Sequence, residues 1–100
     1  MTADPTFRMT AQEILFIKGR GTVVIGRIES GTIAVGDEVQ VRGTNIHKTA
    51  VAAAVEIDRK PVERAHAGDN VGVRLNDLDE ENLQPGDLLT GSDLQFSWKP

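Results

Sequence analysis

The chain has 100 residues, no cysteine and a net charge of −4. This length is typical of one domain, the lack of cysteine excludes disulfides and thiolate metal sites, and no apolar run approaches the roughly 20 residues of a membrane-spanning helix. The negative charge argues against bulk electrostatic capture of nucleic acid, so any RNA contact must be a local site and DNA is not expected as a partner. A soluble, cytoplasmic protein with no membrane role is therefore expected.

Segments rich in β-branched residues alternate with glycine turns along the whole chain. The predicted strands are, in order, residues 7–10, 14–17, 22–29, 38–42, 48–58, 70–75 and 88–90, and residues 62–65 form either a short connector or a further strand. The short connections leave no room for crossover helices, which favours an all-β fold closed into a small antiparallel barrel. We expect a flexible leader at residues 1–6, the barrel at residues 7–92 and a C-terminal tail at residues 93–100.

Residues 48–58 are rich in alanine, which would also suit a helix, but β-branched residues at every second position favour a strand. Its period-two pattern predicts that Val51, Ala53, Val55 and Ile57 point inward and that Ala50, Ala52, Ala54, Glu56 and Asp58 point outward. Small outward residues would let another surface approach closely, or alanine simply fills a shallow part of the barrel wall. Two further expectations concern the end of the chain: a helical turn at residues 77–83, and a last strand or packing segment carrying Leu94, Phe96 and Trp98.

The residue types needed for catalysis do not form a recognisable set. Residues 43–49 superficially resemble a phosphate-binding loop, but the second glycine before the lysine is missing and a strand follows. Neither His47 nor His66 has a second ligand at metal spacing, and the serines have no evident histidine and carboxylate partners. We therefore expect no enzyme activity, no metal and no cofactor.

Several sequence blocks keep a common spacing without a gap over residues 7–90. They are Gly-Arg-Gly-Thr-Val-Val at residues 19–24, Gly-Arg-Ile-Glu-Ser-Gly at 26–31, Val-Gly-Asp-Glu-Val at 35–39, Val-Glu-Ile-Asp-Arg-Lys at 55–60, Ala-Gly-Asp-Asn-Val-Gly-Val at 67–73 and Pro-Gly-Asp-Leu-Leu at 85–89. Together these blocks resemble the second domain of translational GTPases, elongation factor Tu above all. The resemblance implies a six-stranded antiparallel barrel without the GTPase domain, and hence no GTP binding by this chain.

The resemblance also implies a binding site for RNA. By this likeness Glu56 and Arg59 would contact the terminal adenosine of an aminoacyl-tRNA, and Asn70 would lie near the aminoacyl group. Carboxylate, guanidinium and amide suit ribose, phosphate or base contacts. The alternatives are a surface ion pair between Glu56 and Arg59 and an Asn70 that only satisfies turn backbone. Arg20 and Arg27 could face ribosomal RNA or a GTPase domain, or only cap the barrel rim.

The functional prediction is thus a non-catalytic, translation-factor-like barrel that contacts tRNA or ribosomal RNA, beside a GTPase domain or another translation-factor domain. The alternative is a protein-docking barrel without an RNA role, with an apolar patch near Phe96 and Trp98. Three departures from the family pattern are Ile25, Asp58 and His66, and Asp58 places an acid beside the proposed RNA site.

Overall fold

Nine β-strands and no helix make up the part of the chain that the computed structural model describes, residues 4–19, 21–44, 46–76 and 83–91. They are β1 (Arg8–Ile17), β2 (Gly21–Ser30), β3 (Thr32–Ala34), β4 (Glu38–Arg42), β5 (His47–Ile57), β6 (Lys60–Val62), β7 (Arg64–His66), β8 (Asn70–Asn76) and β9 (Leu88–Thr90). Within these ranges there is accordingly no helix that could cross a bilayer.

Six of these strands close into a ring. The order around the ring is β4, β9, β1, β2, β8 and β5, and β5 pairs again with β4. Every pairing is antiparallel, β6 extends β5 as a hairpin, and β3 pairs with β7 as a separate two-stranded sheet. The predicted closed six-stranded antiparallel barrel is confirmed. The predicted helical turn, apart from Leu83, and the tail residues Leu94, Phe96 and Trp98 lie outside the described residues.

The core follows the alternation of β2, β4 and β8. Val24 and Ile28 of β2 and Val39 and Val41 of β4 are buried, and β8 contributes Val71, Val73 and Leu75 to the same core. The outward residues of β8 are Asn70, Gly72 and Arg74, which are exposed or half-buried. This one strand therefore supplies both the core and the outer wall of the barrel.

The two short strands predicted at residues 7–10 and 14–17 are in fact one continuous strand, β1. A register shift between Ala11 and Glu13 marks a β-bulge at Gln12 in the pairing with β2. Before the bulge Met9 and Ala11 are buried; after it Glu13 lies on the outer face. The bulge therefore changes which residues point outward, a change that strict alternation does not predict.

The predicted faces of β5 are wrong in its first half, for a related reason. Ala50 and Ala52 are buried and Val51 is exposed, whereas Val55 is buried as predicted. A register shift between Ala52 and Ala54 in the pairing with β8 makes Ala53 the extra residue of a bulge. The backbone of Ala52 also pairs with the turn before β4, donating to the Asp37 carbonyl and accepting from the Gly36 N–H.

Three turns share one design, in which glycine is followed by aspartate. Gly36, Gly68 and Gly86 have φ values of 95°, 95° and 97°, which favour glycine. In each turn the aspartate N–H donates to the carbonyl three residues before it, and the aspartate carboxylate accepts from the N–H of that same residue. These reciprocal bonds satisfy the backbone where strands reverse, and they account for the burial of Asp37 and Asp87.

Asp4 ties the segment before β1 to the barrel. Its carboxylate accepts hydrogen bonds from the N–H and hydroxyl of Thr6 at 2.9 and 2.8 Å and from the N–H of Thr32 at 3.2 Å. These bonds, those to Thr6 first, lower the pKa of Asp4 below its ordinary 3.8. The N–H of Phe7 donates to the Asp4 carbonyl, which holds the segment close to the start of the first strand.

The glycine–aspartate turns lead to a stability prediction. A Cβ on Gly36 or Gly68 would meet nothing within 4 Å, so only the backbone angle opposes a side chain. Gly36→Ala and Gly68→Ala are each expected to lower the free energy of unfolding by about 1–2 kcal/mol, measured by urea titration. Gly72→Ala is the matched control, because its φ lies outside the left-handed region and its Cβ would sit 3.5 Å from Val23 Cγ1. Equal losses in Gly36→Ala and Gly72→Ala would refute this account of the turns.

The Asp4 contacts predict a pH dependence. Because the folded state lowers the pKa of Asp4, the unfolded chain binds the proton more readily. The stability that Asp4 contributes is therefore complete above about pH 4 and is lost as the pH falls through the lowered pKa. Asp4→Asn should be less stable than the wild type at pH 7, and the difference should vanish in acid.

Urea unfolding between acid and neutral pH measures this difference. The pKa of Glu29 is also lowered, by the Thr10 hydroxyl first and by Arg8, but Glu29 is present in both proteins and cancels in the comparison. Glu38→Gln, on the exposed face of β4, controls for the loss of one negative charge. A wild-type to Asp4→Asn difference that stays constant with pH would contradict the role given to Asp4.

Candidate functional site

A groove of about 610 Å³ runs over the outer wall of the barrel. Its walls come from β1, β2, β8 and β5, four neighbours in the ring, and from the turn after β5. The three residues predicted to form the principal site, Glu56, Arg59 and Asn70, all line it. Residues remote in sequence thus meet because the ring places their strands side by side.

The first row across the groove is Glu13, Ile25, Gly72 and Glu56. Glu13 is paired with Ile25, Ile25 with Gly72 and Gly72 with Glu56, each on the next strand. Strands lie about 4.8 Å apart, so the Ile25 and Glu56 backbones stand about 10 Å from one another with glycine between them. The missing side chain at Gly72 leaves a slot with an aliphatic wall on one side and a carboxylate on the other.

The second row lies two residues further along and is more apolar. It runs from Leu15 to Val23, Arg74 and Ala54 on successive strands, and all four line the groove. Arg74 is half-buried between Val23 and Ala54. The small Ala54 leaves space above β5 on one side of the groove, and the exposed Leu15 stands on β1 at the other side.

The turn between β5 and β6 holds Asp58 and Arg59 over one end of the groove. Ile57 pairs with Lys60, so these two residues form a two-residue hairpin loop, and their φ values are +54° and +66°. Two-residue hairpin turns of this kind favour Asn-Gly because both central residues have positive φ. Arginine in this region is strained, and strain of this kind is concentrated at binding sites.

The groove carries charges of both signs. Glu13, Glu56 and Asp58 supply carboxylates, and Arg59 and Arg74 supply guanidinium groups. None of these five side chains forms a hydrogen bond or ion pair with another described residue; in particular, no ion pair joins Glu56 to Arg59. The polar groups of the groove therefore remain available to a ligand that presents both donors and anions.

The remaining predicted residues lie elsewhere. Arg27 is exposed on β2, opposite Asn70 in the pairing with β8, and so borders the groove without lining it. Arg20 lies outside the described residues. The alternative explanation of Asn70 as the residue that satisfies the turn is not supported, because its side chain forms no hydrogen bond with another described residue, whereas the Asp69 carboxylate accepts the His66 N–H there.

Among the groove residues that the sequence did not predict, Glu13, Gly72 and Arg74 matter most, because they supply two charges and the slot. The alternation of β8 contained the signal for two of them, since Gly72 and Arg74 must share the outer face with Asn70. No pattern pointed to Glu13, because it reaches this face only through the bulge at Gln12.

The comparison with known protein families agrees with this architecture. The family model for elongation factor Tu domain 2 matches residues 21–90, which include β2 through β9. The match therefore covers three of the four strands that form the groove, together with the turn carrying Asp58 and Arg59. Elongation factor Tu domain 2 is a non-catalytic domain. With the closed barrel and this match over most of its length, the chain belongs to the elongation factor Tu domain 2 family and is a translation-factor β-barrel module.

Proposed function

We propose that this barrel acts without catalysis, in the cytoplasm, by binding the single-stranded 3′ end of an RNA such as an aminoacyl-tRNA in the groove. The observation that carries the proposal is the slot over Gly72, open between Ile25 and Glu56. Sequence-specific contacts to RNA mostly involve unpaired bases at loops and ends, which can enter such a slot. A base would lie against the aliphatic side of Ile25, with its ribose toward Glu56.

Each polar group near the slot has a matching partner on a terminal nucleotide. The Glu56 carboxylate can accept from a ribose hydroxyl, including the 2′-hydroxyl that distinguishes RNA from DNA. The Arg59 guanidinium can bind phosphate or stack on a base, and the Asn70 amide can both donate and accept. The Asp58 carboxylate would repel a phosphate at this end of the groove, and the Arg59 guanidinium would offset that repulsion.

Arginines outside the slot could bind further partners of this module. Two arginines are candidates for contacts with ribosomal RNA or a GTPase domain. They are Arg27, which borders the groove, and Arg20, which directly precedes Gly21 in the sequence. With a net charge of −4, binding must depend on such local contacts rather than on overall attraction.

A protein-docking role is the second candidate. Phe16, near the end of β1, is 52% exposed and points to the face opposite its exposed neighbours Leu15 and Ile17, which line the groove. A protein partner would therefore contact Phe16 on the side of β1 that faces away from the groove. The patch expected near Phe96 and Trp98 lies outside the described residues.

A substitution that fills the slot tests the RNA proposal. Gly72→Val should lower the affinity for a short CCA-ended RNA at least tenfold, because its side chain would occupy the place of the base. Gly72→Ala should have a smaller effect than Gly72→Val, because its Cβ makes only ordinary contact with the side chains of Val23 and Ile25 and fills only part of the slot. Binding is measured by NMR titration, and urea unfolding checks that both variants are folded.

Glu56→Gln should lower the affinity for the same RNA roughly tenfold, because the charged acceptor for a ribose hydroxyl is lost.

The same titration separates the two candidate functions. With wild-type protein, RNA binding in the groove should shift the backbone signals of Glu56, Arg59 and Asn70 together. If saturating RNA leaves these signals unmoved, the RNA proposal is wrong, and a docking role at the exposed end of β1 becomes the better explanation.

The strained turn gives a second test, in which stability and binding change in opposite directions. Arg59→Gly should raise the free energy of unfolding by about 0.5–1 kcal/mol, because relief of the left-handed strain outweighs the added freedom of the unfolded chain. It should also weaken RNA binding about tenfold, since one cation is lost.

Arg64→Gln controls for the loss of one positive charge, since Arg64 is exposed on β7 and does not line the groove. This control should leave RNA affinity nearly unchanged. An Arg59→Gly variant with wild-type RNA affinity would exclude a role for this guanidinium in binding.

A further inference from the structure

Arg74 is a groove residue to which neither the sequence analysis nor the family match assigned a role. It lies on the outer face of β8, two residues beyond Gly72, opposite Val23 on one neighbouring strand and Ala54 on the other. Its side chain is half-buried and lines the groove. It forms no hydrogen bond or ion pair with any other described residue.

This placement leaves the Arg74 guanidinium available to an anion. The side chain is half-buried between Val23 and Ala54, so its aliphatic stem can lie along these apolar neighbours, and its charged group lines the groove without a partner among the described residues. Guanidinium is the side chain best suited to a phosphate group, because its planar fork donates two parallel hydrogen bonds. The closest carboxylates in the strand register, Glu13 and Glu56, belong to the adjacent row and do not pair with it.

The spacing along β8 matches a nucleotide. Outward residues on one strand are about 6.7 Å apart, so Asn70 and Arg74 stand at this distance on either side of Gly72. A nucleotide with its base over Gly72 has a backbone phosphate within reach on one side and its terminal hydroxyls on the other. The amide of Asn70 suits the hydroxyl side, and the cation of Arg74 suits the phosphate side.

We infer that Arg74 binds the phosphodiester on the 5′ side of the terminal nucleotide, so that the groove takes the last two nucleotides of an RNA in one direction, with the 3′ end toward Asn70. This inference rests on the proposed function of the groove and adds a phosphate site to it, at the end of the groove opposite to Asn70. It predicts that a nucleoside alone is a poor ligand and that the last phosphodiester linkage of the RNA supplies much of the affinity.

The test compares adenosine with the dinucleotide CpA on the full chain, by NMR titration or calorimetry. Wild-type protein should bind CpA about tenfold more tightly than adenosine, and Arg74→Gln should lose that advantage while its affinity for adenosine is unchanged. Added salt should weaken CpA binding to wild-type protein more than it weakens CpA binding to Arg74→Gln, because salt screens a contact between a cation and a phosphate. Arg64→Gln, which removes a cation outside the groove, should retain both the preference and the salt dependence.

A ligand-side variant makes the test independent of folding. CpA with an uncharged methylphosphonate linkage should bind wild-type protein as weakly as adenosine, and Arg74→Gln should not distinguish it from ordinary CpA. Equal binding of the charged and uncharged dinucleotides by wild-type protein would overturn the inference, and so would an undiminished CpA preference in folded Arg74→Gln. In either case shifts at Glu56 and Asn70 on RNA addition would still support the proposed function. Failure of the wild type to bind even CpCpA would end both proposals.

Discussion

The pairing of β8 between β2 and β5 is the constraint on which the rest of the structure depends. Because both edges of β8 are hydrogen-bonded, its register is set from two sides, and side chains alternate strictly between core and surface. The inward set is Val71, Val73 and Leu75; the outward set is Asn70, Gly72 and Arg74. A slip of one residue would exchange these sets, so the packed interior and the outer groove require the same register.

The groove also depends on places where regular strand geometry is interrupted. The bulge at Gln12 turns Glu13 outward, and the bulge at Ala53 re-phases β5 so that Ala54 and Glu56 reach the groove. The hairpin turn adds Arg59 with positive φ. Bulges redirect side chains and strained turns hold them, and both are common beside functional sites because an unbroken sheet presents a uniform face. In this barrel three such interruptions border one surface.

The candidate site was only partly predictable. Glu56, Arg59 and Asn70 were identified through the resemblance of their sequence blocks to a known family, and the structure places all three on one groove. Gly72 was passed over because a strand glycine has no chemistry of its own; its importance comes from the empty space it leaves between neighbours on other strands. Arg74 has no sequence signal beyond an outward position on β8, since its half-buried place between Val23 and Ala54 depends on the pairing of distant strands. Their RNA contacts remain proposals.

The sequence by itself determined the all-β class, the positions of most strands and the glycine turns, because period-two alternation and the need for positive φ are local properties. It also determined the family, through blocks that keep their spacing. Only the tertiary structure decided that β1 is a single strand, that Ala50 and Ala52 rather than Val51 enter the core, and that Glu13 faces the groove. Each of these depends on a bulge, and bulge positions are set by pairing with distant strands, a non-local interaction that local patterns do not encode.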